Sequence, residues 1–379
     1  MLLRDLTIEN YRSFEKYKLD GLARVNLLVG DNNCGKTSVL EAGFLLTSSE
    51  PLDALLAITR LRGESCVLEQ QPPNQQQVTA PAIDGLFNGR TIAPGSRFTI
   101  NGGFTSPGEL EGASFEATIE DWRALKTNVG SDQPNVPANA PWMCDISWKH
   151  GVVSRSRRIW MATDGGVITN LWSGGNGFSF SPNQPPRFHL NSEIIPLAGW
   201  QGRELAQRWD IVLQSGERAV VVDRLRVLHR DIRDIVFLPG MIGLSQRLGG
   251  IMIELEGERR PAPLNSLGDG SQRLLTMAIA LQSTTKGTLF IDEIDTGMHH
   301  SRLSDIWRMV IMAAKELEIQ VFATTHSLDC IRALEEACNQ DESLRDEVAL
   351  FSIDRRMDEA VRYGGDELST VVEHDIEVR

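Results

Sequence analysis

One octet limits this chain more than any other feature. Gly30-Asp31-Asn32-Asn33-Cys34-Gly35-Lys36-Thr37 fits the pattern G-x-x-x-x-G-K-[ST]. An apolar run, Val25-Asn26-Leu27-Leu28-Val29, precedes it and reads as a buried strand. Val39, Leu40, Ala42, Gly43 and Leu46 come next at roughly helical spacing. A glycine loop between a strand and a helix turns its backbone N–H groups inward around an anion, and the helix N-terminus adds a favourable partial charge. Lys36 is placed to reach β- and γ-phosphates, and the Thr37 hydroxyl to ligate Mg²⁺. Gly30, Asn33, Gly35, Lys36, Thr37 and Ser38 are therefore candidate cofactor-binding residues.

The partners of such a loop lie far away in sequence. Thr288-Leu289-Phe290-Ile291 reads as a buried strand that stops in Asp292-Glu293, which puts two carboxylates at the carboxyl edge of a sheet, where open α/β folds bind ligands. Asp292 is the candidate metal residue beside Thr37, and Glu293 the candidate general base. A second strand, Ile319 to Thr324, runs into Thr325-His326-Ser327. His326 there can hydrogen-bond a γ-phosphate and orient water, and Ser327 caps the next helix. Before the acidic pair, Leu264-Asn265-Ser266-Leu267-Gly268-Asp269-Gly270-Ser271 opens an apolar helix, which makes a further site with free N–H groups.

Three stretches differ in texture. Residues 1–65 and 201–379 alternate strand and helix patterns, which favours a largely parallel sheet with crossover helices. Residues 66–200 crowd Pro, Gly, Asn, Gln and Ser around short alternating pieces such as Ser114 to Ile119, and read as a β-rich, loop-rich insertion. Within the C-terminal stretch, Leu225, Leu228, Ile232 and Ile235 predict a helix over 223–235, and Val348–Ile353 and Ala360–Tyr363 predict two closing strands followed by a short helix. Hydrophobic residues make up 41 %, which suits a folded core rather than a disordered chain. No run of about 18 apolar residues predicts a membrane span. The opening residues carry no leader pattern, and five cysteines without C-x-x-C spacing suit a reduced cytoplasmic setting. A net charge of −13 argues against a large nucleic-acid footprint. Two arginine clusters remain as candidate basic patches: Arg155, Arg157 and Arg158, and Arg224, Arg226, Arg230 and Arg233.

These pieces in this order resemble the ABC-type ATPases of the SMC, RecF and OLD group, and Ile8-Glu9-Asn10-Tyr11-Arg12-Ser13-Phe14 is similar to their opening strand. The resemblance covers about residues 1–47 and 220–379. It implies an α/β P-loop NTPase head with a mixed, largely parallel sheet, carrying the 66–200 insertion, that hydrolyses ATP with Mg²⁺. It further implies that Ser266, Gly268, Asp269 and Gly270 form a signature that meets the nucleotide of another subunit. Asp295 would lie in the D-loop, and Arg12 near the base or sugar. Asp269 departs from the commonest signature and matches the Gly-Asp-Gly form of OLD-like proteins. No Q-loop glutamine stands out, although Gln70 and Gln71 lie at a suitable distance.

Residues 327–379 hold no Asp-x-Asp triplet of the kind a Toprim nuclease needs, so the expected role is an ATPase switch for a separate effector, such as a nuclease in anti-phage defence. Self-association through composite sites follows from the resemblance. A RecF-like DNA-repair ATPase and an ATP-sensing scaffold are the alternatives.

Overall fold

Every residue of Val25–Val29 is buried, which a strand achieves only inside a sheet covered on both faces. The computed structural model describes residues 1–67, 79–106, 109–121, 141–168, 192–200, 202–238, 250–268 and 270–373. With strands numbered along the chain, Val25–Val29 is β4. It lies in a six-stranded sheet of order β11 (Ser192–Ile195), β15 (Thr288–Ile291), β16 (Gln320–Thr324), β4, β17 (Val348–Ser352) and β18 (Val361–Gly364). Neighbours from β11 to β17 pair in parallel, and only β18 runs antiparallel.

The two-residue period of these strands sorts their side chains onto two cores. Leu27, Val29, Leu289, Ile291, Val321 and Ala323 face one side, packed with helices α5 (Gly270–Ser283), α6 (His300–Glu316) and α7 (Leu328–Gln340). Leu28, Phe290, Phe322 and Phe351 face the other, packed with α1 (Lys36–Thr47) and α2 (Pro51–Leu61). Asn26 is fully buried in β4, and its side chain is satisfied by Ala23 and by the Val321 carbonyl.

A second, antiparallel sheet of seven strands covers α1 from outside. Its order is β10 (Val153–Met161), β9 (Trp142–His150), β8 (Glu109–Asp121), β7 (Arg97–Ser106), β2 (Asp5–Tyr11) and β3 (Phe14–Asp20), with β1 (Leu2–Leu3) on β7. Helix α1 is thus held between two sheets. The Trp148 indole N–H donates to the Leu46 carbonyl at 2.8 Å, which ties β9 to the end of α1. Gln320 bonds Leu3 through both main-chain groups, at 2.8 Å each, and so ties β16 to β1. Smaller elements complete the chain: β5 (Ser65–Val67) with β6 (Thr79–Pro81), the sheet of β12 (Ile232–Phe237), β13 (Ile251–Leu255) and β14 (Ala262–Pro263), and helices α3 (Arg203–Ser215), α4 (Arg218–Leu225) and α8 (Leu368–Glu373).

Two expectations are corrected. The helix over 223–235 is instead the end of α4, a turn, and strand β12. A register shift between Ile232 and Asp234 sets two residues against one on β13, as a bulge does. The bulge leaves Ile232 and Ile235 both buried although they are three apart, a spacing that in sequence imitates a helix. The boundaries at 66 and 200 also do not follow the sheets. Strands β7–β10 extend the sheet begun by β2 and β3, and β11 belongs to the central sheet beside β15. Cross-strand pairing over long separations decided both, and it leaves no local composition signal. Gln70 and Gln71 lie outside the described residues. Among the described residues no helix is long and apolar enough to cross a membrane. All five cysteines are free thiols.

Gly43 shows how tightly α1 is held. A Cβ built there would lie 2.7 Å from Cε1 of Phe290, a ring stacked on Phe322 at 5.2 Å and met edge-on by Phe44. Alanine raises helix propensity by up to about 1 kcal/mol over glycine, yet overpacking costs about 1–3 kcal/mol. Gly43→Ala is therefore expected to lower the thermal midpoint, which differential scanning calorimetry checks; a raised midpoint would show that the Phe290 ring has room to yield.

Candidate functional site

The parallel order β15, β16, β4 brings three strand ends to one edge. Ile291 pairs beside Ala323, and Ala323 beside Leu27, so Asp292-Glu293, Thr325-His326 and the Gly30–Thr37 loop emerge side by side. The loop depends on its glycines. Gly30 has φ 143°, and a Cβ there would sit 2.5 Å from the Ile353 carbonyl oxygen; Gly35 has φ 109°, and a Cβ there would sit 2.3 Å from Cζ of Phe14. Both positions exclude L side chains by backbone conformation as well as by space. Lys36 Nζ donates to the carbonyls of Gly30 at 2.7 Å and Asp31 at 2.9 Å, so the loop curls around its own ammonium group.

Thr37 Oγ1 lies 3.1 Å and 3.3 Å from the two carboxylate oxygens of Asp292. A hydroxyl and a carboxylate converging in this way are hard oxygen donors of the kind Mg²⁺ takes beside phosphate oxygens. The donor set therefore fits that ion.

Glu293 is fixed at every polar group. Its φ is 52°, a left-handed conformation that costs a non-glycine residue about 1–2 kcal/mol. Its N–H donates to Thr324 Oγ1 at 2.7 Å, and the same hydroxyl donates to Asp292 Oδ1 at 2.8 Å. Its carbonyl and that of Asp292 accept from the Arg273 guanidinium. Its carboxylate Oε2 lies 2.6 Å from His326 Nδ1. Arg273 also bonds the Pro196 carbonyl at 2.6 Å. Burial pulls this guanidinium down to about 10, against the opposing pull of Asp292, Asp295 and Glu293.

A cavity of about 310 Å³ opens on this edge. Asn32, Asn33, Gly35, Lys36, Thr37 and Ser38 form one wall, and Glu293 also lines the cavity. Arg12, Ser13, Arg62, Gly85 and Arg90 complete the lining. Arg12 is tied by Nε to Glu41 at 3.0 Å and by Nη1 to Glu64 and the Gly85 carbonyl. Burial opposes its charge, but Tyr11, Glu41 and Glu64 outweigh burial and hold the guanidinium above its usual range.

The signature candidates stand elsewhere. Ser266, Gly268, Gly270 and Asp295 are not among the described residues that line this cavity. Ser266 is exposed, with its hydroxyl on the Pro263 carbonyl. Gly270 starts α5, pressed so close to the Gly297 carbonyl that a Cβ would lie 2.6 Å from its oxygen. Asp295 accepts from Thr325 Oγ1 at 2.7 Å. Asp269 lies outside the described residues. Sequence reasoning missed Thr324, Arg273, Arg62 and Arg90. Thr324 and Arg273 stood next to motif residues and were within reach. Arg62 and Arg90 sit after a helix and in a turn, with no pattern to mark them.

Comparison with known proteins finds ATPase-type relatives. A sequence family described as "AAA ATPase domain" matches residues 1–128. Another, described as "AAA domain, putative AbiEii toxin, Type IV TA system", matches residues 197–330. A relative from Helicobacter pylori (strain ATCC 700392 / 26695), named "ATP/GTP phosphatase", is 21 % identical over 365 residues, covering 89 % of each chain. Among solved structures, the SMC head domain from Thermotoga maritima aligns over 96 % of this chain and 99 % of its own, at 15 % identity and a TM-score of 0.43. A structure described as the SmcHead bound to the C-winged helix domain of ScpA aligns over 98 % of this chain and 100 % of its own, at 10 % identity and a TM-score of 0.46. The P-loop ATPase fold itself rests on the strand order and the loop geometry above.

Thr324→Val removes the one hydroxyl that serves both Asp292 and Glu293. It leaves a buried N–H and a carboxylate oxygen short of a partner, at a cost of about 1–3 kcal/mol. Urea denaturation should show that loss, with Thr324→Ser recovering most of it; equal stability of the valine variant and the wild type would mean the hydroxyl holds nothing.

Proposed function

We propose that this chain binds ATP with Mg²⁺ and hydrolyses it to ADP and phosphate, as an ATPase switch that acts on a separate effector. The observation that carries the reading is the convergence of Lys36, the Thr37–Asp292 pair and the Glu293–His326 pair at the ends of three adjacent parallel strands. Lys36 exchanges its loop carbonyls for β- and γ-phosphate oxygens, and the N–H groups from Asn33 to Ser38 cradle the chain of phosphates. Thr37 and Asp292 would hold the metal ion, which would supply positive charge to offset that of the phosphates. Glu293 accepts a proton as a water oxygen attacks the γ-phosphorus. The bond from that phosphorus to the β,γ-bridging oxygen breaks, and the bridging oxygen leaves on ADP. His326, paired with Glu293 through Nδ1, can donate from its other ring nitrogen to the γ-phosphate when that nitrogen carries a proton.

The same reading makes the site composite. Ser266, Gly268, Asp269, Gly270 and Asp295 belong to a surface that meets the nucleotide of a second copy, and the position of Ser266, Gly268, Gly270 and Asp295 off the P-loop cavity supports this. Arg12 serves the nucleoside end. The family description that names an AbiEii toxin of a Type IV TA system supports a place in a two-component defence system. The effector is a separate protein, such as a nuclease.

DNA engagement loses ground in the arginine clusters. Arg155 is bound to Glu50 and Arg158 to Asp145. Arg224 is buried on Gln282 and the Ala278 carbonyl, and Arg226 bonds Asp223 and the Ile232 carbonyl. Arg157, Arg230 and Arg233 are the members of both clusters left exposed without an ion pair among the described residues.

Lys36→Ala is expected to weaken ATP binding at least about 100-fold, since it removes a charged contact to two phosphates. Glu293→Gln is expected to keep binding while turnover falls by about 10²–10⁴. Its mass in light scattering should rise from one copy toward two when ATP is added. Phosphate release near the wild-type rate in Glu293→Gln would remove the general base from this account. An ATP-independent mass at all concentrations would remove the composite site. Turnover should be indifferent to duplex DNA at low salt, and stimulation that fades with salt would restore the DNA reading.

A further inference from the structure

Three guanidinium groups line the same cavity as the P-loop, on residues that no motif marks for phosphate. A phosphate chain that runs from Glu293 along Lys36 and Thr37 ends near Ser38, because loop N–H groups take the α- and β-phosphates. The rest of a nucleotide, beyond its α-phosphate, must lie against the other lining residues, Arg12, Ser13, Arg62, Gly85 and Arg90. This part of the wall is cationic. Two carboxylates behind it pair with these arginines: Glu41 takes Arg12 and Arg62, and Glu64 takes Arg12 through Oε1, while Glu64 Oε2 is buried without a partner among the described residues.

The arginines keep donors to spare. Arg62 is fixed only through Nε, which donates to Glu41 Oε1 at 2.6 Å, so its two terminal nitrogens bond no described residue. Its side chain is 37 % exposed. Arg90 makes no side-chain hydrogen bond to a described residue, and its backbone is left-handed at φ 54°, next to Gly89 at φ 72°. Arg12 Nη2 is buried in a side chain only 6 % exposed, and it has no partner among the described residues. A buried, unpartnered guanidinium nitrogen is uncommon in a folded protein, because leaving a charged donor unsatisfied is costly. The donors open to a ligand in this cavity are therefore the terminal nitrogens of Arg62 and Arg90.

We propose that Arg62 and Arg90 contact the nucleoside end of the bound nucleotide, gripping it across the cavity from the P-loop, with Glu41 holding Arg62 in place. The inference rests on the ATP reading above. A guanidinium plane stacks on a purine face and donates to its ring nitrogens and to ribose oxygens, which an ammonium group does less well. Glu41 lies on α1, the helix that the P-loop opens, and it bonds both Arg12 and Arg62. Loop, helix and arginine rim are therefore one connected unit.

The test compares ATP with inorganic tripolyphosphate, which keeps the phosphate chain and lacks the nucleoside. The full chain, as wild type, Arg62→Ala, Arg62→Lys and Arg90→Ala, is titrated with each ligand in the presence of Mg²⁺ by calorimetry. Both side chains sit at the rim, so the variants should fold, which circular dichroism checks. ATP binding is expected to weaken about tenfold or more in each alanine variant, as for a lost charged contact. Tripolyphosphate binding should change by less than about threefold, well under the loss of one such contact. Arg62→Lys should remain weak for ATP, because it keeps the charge and loses the planar fork. The proposal is overturned if ATP binding is unchanged, if both ligands lose affinity equally, or if lysine restores ATP binding in full. Failure of the wild type to bind ATP at all would instead overturn the ATP reading, which separates the two outcomes.

Discussion

The parallel pairing of β16 with β4 on one side and β15 on the other is the constraint on which the site depends. Parallel strands need long crossover connections, so the three strands come from residues 25–29, 288–291 and 320–324. Once they pair, their carboxyl ends must share an edge, and the loop, the acidic pair and the histidine become neighbours without any local sequence contact. The sheet is covered on both faces, and that burial holds the edge rigid.

On that edge, polar groups finish what packing begins. Thr324 closes β16 and uses one hydroxyl to hold the Asp292 carboxylate and the Glu293 N–H. Arg273 reaches from α5 to the carbonyls of Asp292 and Glu293 and to Pro196 beyond β11. A residue in a left-handed conformation at φ 52° is therefore over-determined by its neighbours, as strained residues at functional sites must be. Arg273 belongs to the helix that Gly270 opens, so the segment proposed to face a second copy is bonded to the backbone of the proposed general base.

The outer antiparallel sheet has a different task. It covers α1 and joins it to the arginine wall through Tyr11 and Arg12 on the β2–β3 hairpin, both of which reach Glu41. The texture of residues 66–200 is that of an addition, yet β7 carries β2 directly, with Ile8 against Ile100. The P-loop cavity thus has one wall from the central sheet's loop and another from the margin of the second sheet.

Much of this was legible from residues alone, because some features are local. The P-loop needs glycine at positions of positive φ, and a lysine and threonine at fixed offsets; the backbone enforces that pattern within eight residues. Strands that run apolar and stop in Asp292-Glu293 or His326 announce their polar ends in the same local way. Other features are not local. The bulge in β12 gave Ile232 and Ile235 a helical spacing, and only the partner strand β13 reveals it as a strand. The membership of β11 in the central sheet follows from its pairing with β15, nearly a hundred residues on. Arg62 and Arg90 acquire meaning only from the cavity they line. Sequence determines what short stretches of backbone can do, whereas tertiary structure alone decides which distant side chains share one space, because burial and cross-strand hydrogen bonds act between segments and leave no pattern within either.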